Sequence, residues 1–195
     1  MTIILVLGDT HIPDRAVKVP EPLVRLVESK PWNYVLFTGD LTTGEVKTWV
    51  EKLGEKALII KGNMDFLPLP AYQKLTLNNY VIGLHHGHGI FPRGDSKKLA
   101  KLAETMGADV LVTGHTHVPF VKTDPSGKIL LLNPGSATGA WSGELEAGPP
   151  SVMIVEVDNG IFKIRLFKLV GSIIREATFS AEKRDKWYLS AGLNY

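Results

Sequence analysis

The sequence predicts an α/β fold of four layers, α-β-β-α, in which two packed mixed sheets are flanked by helices. Three observations predict it. Short aliphatic runs alternate with amphipathic segments over the first two-thirds of the chain, hairpin-linked strands follow Gly114 without further helices, and no Pro/Ser-rich linker separates the two parts. Residues 1–195 are therefore expected to form one domain, long enough to bury a substantial core.

Ile3–Leu7, Tyr34–Thr38, Ala57–Ile60, Tyr80–Leu84 and Val110–Thr113 are β-branched or aliphatic runs of the kind buried on both faces of a sheet. Between them, Glu45–Leu53 places Val46, Trp49, Val50 and Leu53 on one helical stripe, with Gly54 as its expected stop. Ser96–Met106 repeats the pattern through Leu99, Leu102, Ala103 and Met106, with Asp95 as N-cap and Gly107 as stop. A third helix is expected near Pro22–Ser29, closed by Pro31. Beyond Gly114, Phe120–Lys122, Lys128–Leu132, Ser151–Val157, Ile161–Leu169 and Ile173–Phe179 read as strands. Asp158-Asn159-Gly160 is a hairpin turn.

Composition narrows the function classes. Hydrophobic residues make up 44% and charged residues 22%, as in a globular protein, and the formal net charge is only +2. Runs such as Lys97-Lys98 and Lys183-Arg184 are solvated surface, so no nucleic-acid partner is expected. No apolar run approaches a membrane span and no basic leader precedes Ile3, which makes the cytoplasm the expected location and excludes a membrane partner. With no cysteine, neither disulfides nor thiolate metal ligands are available.

All six histidines fall into three short blocks: Gly8-Asp9-Thr10-His11, His85-His86-Gly87-His88 and Gly114-His115-Thr116-His117. Gly39-Asp40 and Gly62-Asn63-Met64-Asp65 lie between the first two. Each block follows a strand-like run, and ligands of open α/β sheets bind beyond the carboxyl ends of strands. Asp9, His11, Asp40, Asn63, His86, His115 and His117 are thus candidate metal ligands. Oxygen and imidazole donors without thiolate suit Mn²⁺, Zn²⁺, Fe²⁺ or Ni²⁺. Seven donors exceed one tetrahedral centre but suit two centres if one carboxylate bridges.

These blocks, in this order, resemble the calcineurin-like metallophosphoesterase superfamily. The likeness is strongest to its small branch, which holds the YfcE-type phosphodiesterases and the metallophosphoesterase-fold subunit of retromer. His11-Ile12-Pro13, Gly87-His88 leading to Pro92-Arg93-Gly94-Asp95, and Asn133–Ala140 resemble the retromer subunit in particular. The resemblance implies that Asp9, His11 and His117 hold one metal, Asn63, His86 and His115 the other, and that Asp40 bridges them. It further implies hydrolysis of a small phosphodiester by a hydroxide bridging two divalent ions, with Mn²⁺ the first expectation and Zn, Fe or Ni the alternatives. The rival implication is a scaffold with little activity, as in the retromer subunit, either as a homo-oligomer or with a protein partner. An apolar patch around Leu166–Ile174 is where such a partner is expected.

Met64 is the main departure, because broader members of the superfamily often carry His there to protonate the leaving group. Met has no titratable proton. The expected catalytic set is therefore His88, Asn63 and Asp65, with His88 as a replacement proton source or phosphate contact and Asp65 as an orienting carboxylate. His85 alternates with His86 and is expected to face away. Thr10 and Thr116 are expected to shape their loops. Asn133–Gly139 is expected to be a structural loop, one that also packs under the metal site. Trp49, Trp141 and Trp187 are expected to be packing residues, and Trp32 to pack within a loop. The glycines near Gly87 and Gly89 lack the spacing of a nucleotide-binding fingerprint.

Overall fold

A computed structural model describes residues 1–143 and 146–192. In chain order the elements are β1 (Thr2–Leu7), α1 (Glu21–Val27), β2 (Trp32–Phe37), α2 (Gly44–Glu51), β3 (Gly54–Ile59), β4 (Tyr72–Leu77), β5 (Tyr80–His85) and α3 (Ser96–Met106). They continue as β6 (Val110–Val112), β7 (Phe120–Thr123), β8 (Leu130–Asn133), β9 (Ser151–Asp158), β10 (Ile161–Val170), β11 (Ile173–Lys183) and β12 (Trp187–Ala191).

These strands form two mixed sheets. The first runs β12-β11-β10-β9-β1-β2-β3 and the second β4-β5-β6-β8-β7. Parallel pairing is confined to β1–β2–β3 in the first sheet and β5–β6–β8 in the second. The sheets bury their facing sides around Ile4, Leu36, Ile82, Val112, Leu132 and Phe162. The outer side of the first sheet packs Leu5, Phe37 and Ile154 against Leu23 and Val27 of α1 and Val46 and Val50 of α2. Leu99, Ala103 and Met106 of α3 cover Leu111 and Leu131 of the second. The result is the α-β-β-α layering that the sequence predicts.

Local chemistry sets the helix boundaries. Asp95 accepts the Lys98 amide at 2.9 Å to start α3, and Gly107 ends it in the left-handed conformation. Thr43 caps α2 by accepting the Val46 amide at 3.4 Å. Pro22 stands in the first turn of α1, where a missing N–H has no helical partner to lose. The helix α2 ends at Glu51, so Gly54 is not its stop: it opens β3, paired with Trp32. Trp32 itself lies in β2, fully buried, with its indole N–H donating to Val27 O at 2.6 Å. Among the described residues no helix is long and apolar enough to cross a membrane.

Two strands escape the sequence reading, β4 and β12. Each is an edge strand whose polar residues alternate with its apolar ones. The topology places the ends of β1, β2, β3, β5 and β6 at one rim of the sandwich, and the histidine and carboxylate blocks follow directly from them.

Candidate metal centre

Asp9 and His11 follow β1, and Asp40 follows β2. Asn63 follows β3, His86 follows β5, and His115 and His117 follow β6. Glycine precedes Asn63 and His115 where carboxylates occupy the space a Cβ would need. A Cβ at Gly62 would lie 2.0 Å from Asp40 Oδ1, and one at Gly114 would lie 2.4 Å from Asp9 Oδ2. Asp9, His11, Asp40, His115 and His117 all have φ between 46° and 67°, in the left-handed region. Such backbone costs about 1–3 kcal/mol per residue and concentrates at functional sites.

Asp9, His11, Asp40 and His117 bring one ligand atom each within 4.8 Å of all the others. His11 Nε2 lies 3.1 Å from His117 Nε2 and 3.4 Å from Asp40 Oδ2, and His117 Nε2 lies 3.3 Å from Asp9 Oδ1. On the other side of Asp40, the same Oδ2 is 3.3 Å from His86 Nε2, which is 3.1 Å from Asn63 Oδ1. His115 packs edge-on against His86 at 5.0 Å between ring centroids, and its amide donates to Asp9 Oδ1 at 3.0 Å. The structure thus gathers all seven predicted ligand residues at one place, His115 by ring packing and the rest by their donor atoms.

Two of the candidate ligand imidazoles are fixed from behind. His86 Nδ1 donates to Thr38 O at 2.7 Å and His117 Nδ1 donates to Ala140 O at 2.6 Å. A neutral ring so anchored must present its Nε2 lone pair to the cluster, which is how metal-ligating histidines are oriented. Asp9 and Asp40 are buried side by side, and among the described residues neither has a Lys or Arg within ion-pair distance. Buried carboxylates need compensating charge. A hard or borderline divalent cation fits this oxygen and imidazole donor set.

Protons partly compensate in the metal-free chain. Burial pushes His86 down, but its hydrogen bond to Asp40 and the charges of Asp9 and Asp40 carry it up to about 9. Burial pushes Asp40 up, but the His86 hydrogen bond and charge, the Met64 amide and His11 bring it down to about 2. His117 is also raised, because Asp9 and the Ala140 carbonyl outweigh its burial. His11 falls to about 4 through burial, against the pull of Asp40 and Asp9. His115 falls to about 4 through burial and the charges of His86 and Arg93.

Asp65 touches neither group of donors. Its Oδ2 accepts the amides of Asp40 and Gly62, both at 2.8 Å, and its Oδ1 accepts the Thr42 amide at 2.8 Å. It fixes the loop that carries Asp40. His88 is exposed at the mouth, 5.6 Å from the His86 ring and stacked 5.8 Å from His85, and burial and the His86 charge lower its pKa. His85 accepts the Gly87 amide at Nδ1 and makes no contact with the ligand atoms.

Four supports were not singled out as residues from the sequence, although Ser136 lies in the loop expected to pack under the site. Thr38 gives its hydroxyl to Asp9 Oδ2 at 3.2 Å and its carbonyl to His86. Ser136 donates to Asp9 O at 2.7 Å, the Ala140 carbonyl holds His117, and Arg93 donates to His115 O at 3.5 Å. The Asn133–Gly139 loop passes beneath the centre: Asn133 donates to Gly114 O and Thr138 to Thr10 O, both at 2.9 Å. Its run of turn formers was the available signal. Trp49 and Trp187 pack as expected, whereas Trp141 is 49% exposed beside the centre.

The sequence profile of the calcineurin-like phosphoesterase superfamily domain matches residues 1–160. The chain belongs to that superfamily. A probable metallophosphoesterase of Methanocaldococcus jannaschii is 43% identical over 133 residues, covering 68% of this chain and 67% of the relative. The crystal structure of wild-type Vps29 of Entamoeba histolytica complexed with Zn²⁺ superposes with a TM-score of 0.84 at 32% identity, covering 92% of this chain and 99% of that one. Vacuolar Protein Sorting 29 of Cryptosporidium parvum gives a TM-score of 0.88 at 30% identity over 93% of this chain and 98% of that one. The α/β architecture of this metallophosphoesterase is thus shared with the Vps29 proteins.

Proposed function

We propose that this chain is a dinuclear metal-dependent phosphodiesterase acting on a small phosphoester, folded as a single domain over residues 1–195 and working in the cytoplasm. One observation carries the reading: a single oxygen of Asp40 stands between two imidazoles, 3.4 Å from His11 Nε2 and 3.3 Å from His86 Nε2. Asp9, His11 and His117 would hold one ion, Asn63, His86 and His115 the other, and Asp40 both. Manganese is the first candidate, followed by Zn, Fe or Ni. When bound, such a pair acidifies water and stabilises the attacking and leaving oxygens of an in-line phosphoryl displacement.

The chain's own residues do the positioning. Thr38 and Ala140 aim His86 and His117, and Asp65 fixes the Asp40 loop. Asn63 is exposed at the mouth, where its amide can reach substrate as well as an ion. His88 beside it is the candidate proton source or phosphate contact, since Met64 supplies no proton. The test is turnover of bis(p-nitrophenyl) phosphate by chelated and by Mn²⁺-reloaded protein. Activity that returns with Mn²⁺ supports the proposal, and equal activity in both states ends it.

A scaffold role is the second reading, and exposed aromatic side chains favour it. The patch expected at Leu166–Ile174 is mostly core: Leu166, Phe167 and Leu169 are buried, while Val170 and Ile173 are exposed at a hairpin end. Phe66 and Phe91, by contrast, are 91% and 72% exposed on the loops that follow Asn63 and His88. A partner seated there would cover the mouth. Recovery of a stable complex from an inactive, metal-replete protein would favour this reading over hydrolysis.

A further inference from the structure

Resting on the phosphodiesterase reading, we propose that Trp141 seats an aromatic ester group of the substrate, so that the preferred diesters carry a planar ring. Trp141 follows Ala140, whose carbonyl accepts His117 Nδ1 at 2.6 Å, so the indole is one residue from a contact to a ligand of the centre. Arg15 reaches it from the other side of the same ligand pair. Its amide donates to His11 O at 2.8 Å, its Nη1 donates to Trp141 O at 2.8 Å, and its guanidinium carbon lies 4.2 Å from the ring centroid.

Arg15 therefore holds Trp141 by its backbone carbonyl and by one face of the indole, which remains 49% exposed. A large aromatic held in this way is costly to leave in water and presents a preformed stacking surface. Arg15 makes no ion pair among the described residues, so its charge also favours an anionic ester at this edge of the centre. Together these features describe a seat for a ring attached to a phosphate. Both a simple aryl group and a nucleobase have that chemistry.

The test compares three diesters that share a p-nitrophenolate leaving group and differ in the second ester: methyl, benzyl and thymidin-5′-yl. Mn²⁺-loaded parent protein should favour at least one ring-bearing ester over methyl by about ten-fold in kcat/KM, the scale of one stacking contact. The ring-to-methyl ratio should collapse toward one in Trp141→Ala and persist in Trp141→Phe. The benzyl and thymidyl arms separate an aryl group from a nucleobase. Calorimetric binding of benzyl phosphate and methyl phosphate gives the same comparison without turnover. A ratio near one in the parent, or a ratio unmoved in Trp141→Ala, overturns the seat while leaving the hydrolase reading intact. No turnover of any diester, with ring-selective binding that Trp141→Ala abolishes, overturns the hydrolase reading and leaves the seat standing.

Discussion

His11 and His117 face each other through their Nε2 atoms at 3.1 Å, although 106 residues separate them in the chain. Two imidazole lone pairs aimed at one point repel unless a proton or a cation lies between them. Asp9 and Asp40 close the same point with negative charge. Burial pushes the pKa of His117 down, but the Asp9 hydrogen bond and charge outweigh it and raise it, which favours a proton at that point. A divalent ion satisfies all four groups at once.

Metal binding should consequently stabilise the fold. Free Mn²⁺ at about a hundred times its Kd should add about 2.7 kcal/mol, read as a rise in Tm. His117→Ala removes one donor and should lose most of that rise. A Mn²⁺-dependent shift of the same size in His117→Ala would exclude this cluster as the binding place.

Asp65 offers a way to weaken the centre without touching a ligand. Its two oxygens accept three backbone amides, from Gly62, Asp40 and Thr42. Asp65→Asn replaces one acceptor oxygen by a donor and leaves buried amides unpaired, which should lower stability by about 2–4 kcal/mol in urea unfolding. Metal affinity should fall roughly 10–100-fold as the Asp40 loop relaxes. Unchanged affinity would mean that the loop holds Asp40 without this lock.

Much of this was legible because it depends on residue type. Strands buried on both faces, such as β1 and β2, are largely apolar runs, and all six histidines, four of them candidate metal donors, fall in three short blocks. Edge strands β4 and β12 were hidden because half of each faces water. The supports of the centre were hidden for another reason: Thr38 and Ala140 act through carbonyls, which every residue has. Nor does a sequence announce left-handed backbone at His11 or Asp40, since these types tolerate it without requiring it. Trp141 was read as packing because an indole is apolar, whereas the structure leaves it 49% exposed, one residue from the carbonyl that holds His117.

Away from the centre, Asp124 should govern acid stability of the β7–β8 hairpin. It is buried and accepts the Ser126 hydroxyl at 2.6 Å, the Ser126 amide at 2.8 Å and the Ile129 amide at 2.8 Å. Burial pushes its carboxyl up, but these hydrogen bonds outweigh it and leave the pKa below the ordinary 3.8. A depressed folded pKa means that the contribution is complete above the unfolded value and is lost as pH falls through the folded one. Asp124→Asn should therefore cost about 1.5–3 kcal/mol at pH 7. The gap to the parent protein should shrink below 3.8 in urea titrations at stepped pH. A gap that stays constant through that range would place the cost in shape rather than charge.

Under the proposed phosphodiesterase reading, Met64 is the residue expected to set which esters are cleaved. Its amide donates to Asp40 Oδ1 at 2.8 Å, so the side chain at this position is anchored beside the carboxylate that would join the two ions. A thioether there cannot protonate a departing alkoxide. Diesters with an acidic leaving group such as p-nitrophenolate do not need that proton, whereas alkyl phosphomonoesters do. General acid catalysis contributes roughly 10²–10⁴-fold where the leaving group is poor. Met64→His restores a titratable ring at the anchored position and should raise monoester kcat/KM relative to diester kcat/KM by about ten-fold or more. The comparison uses glycerol 2-phosphate and bis(p-nitrophenyl) phosphate on Mn²⁺-loaded protein. An unmoved ratio would mean that the proton already comes from solvent or from His88, which stands at the mouth 5.6 Å from His86. His88→Ala in the same background separates the two sources, lowering monoester turnover alone if His88 supplies the proton and leaving it unchanged if solvent does.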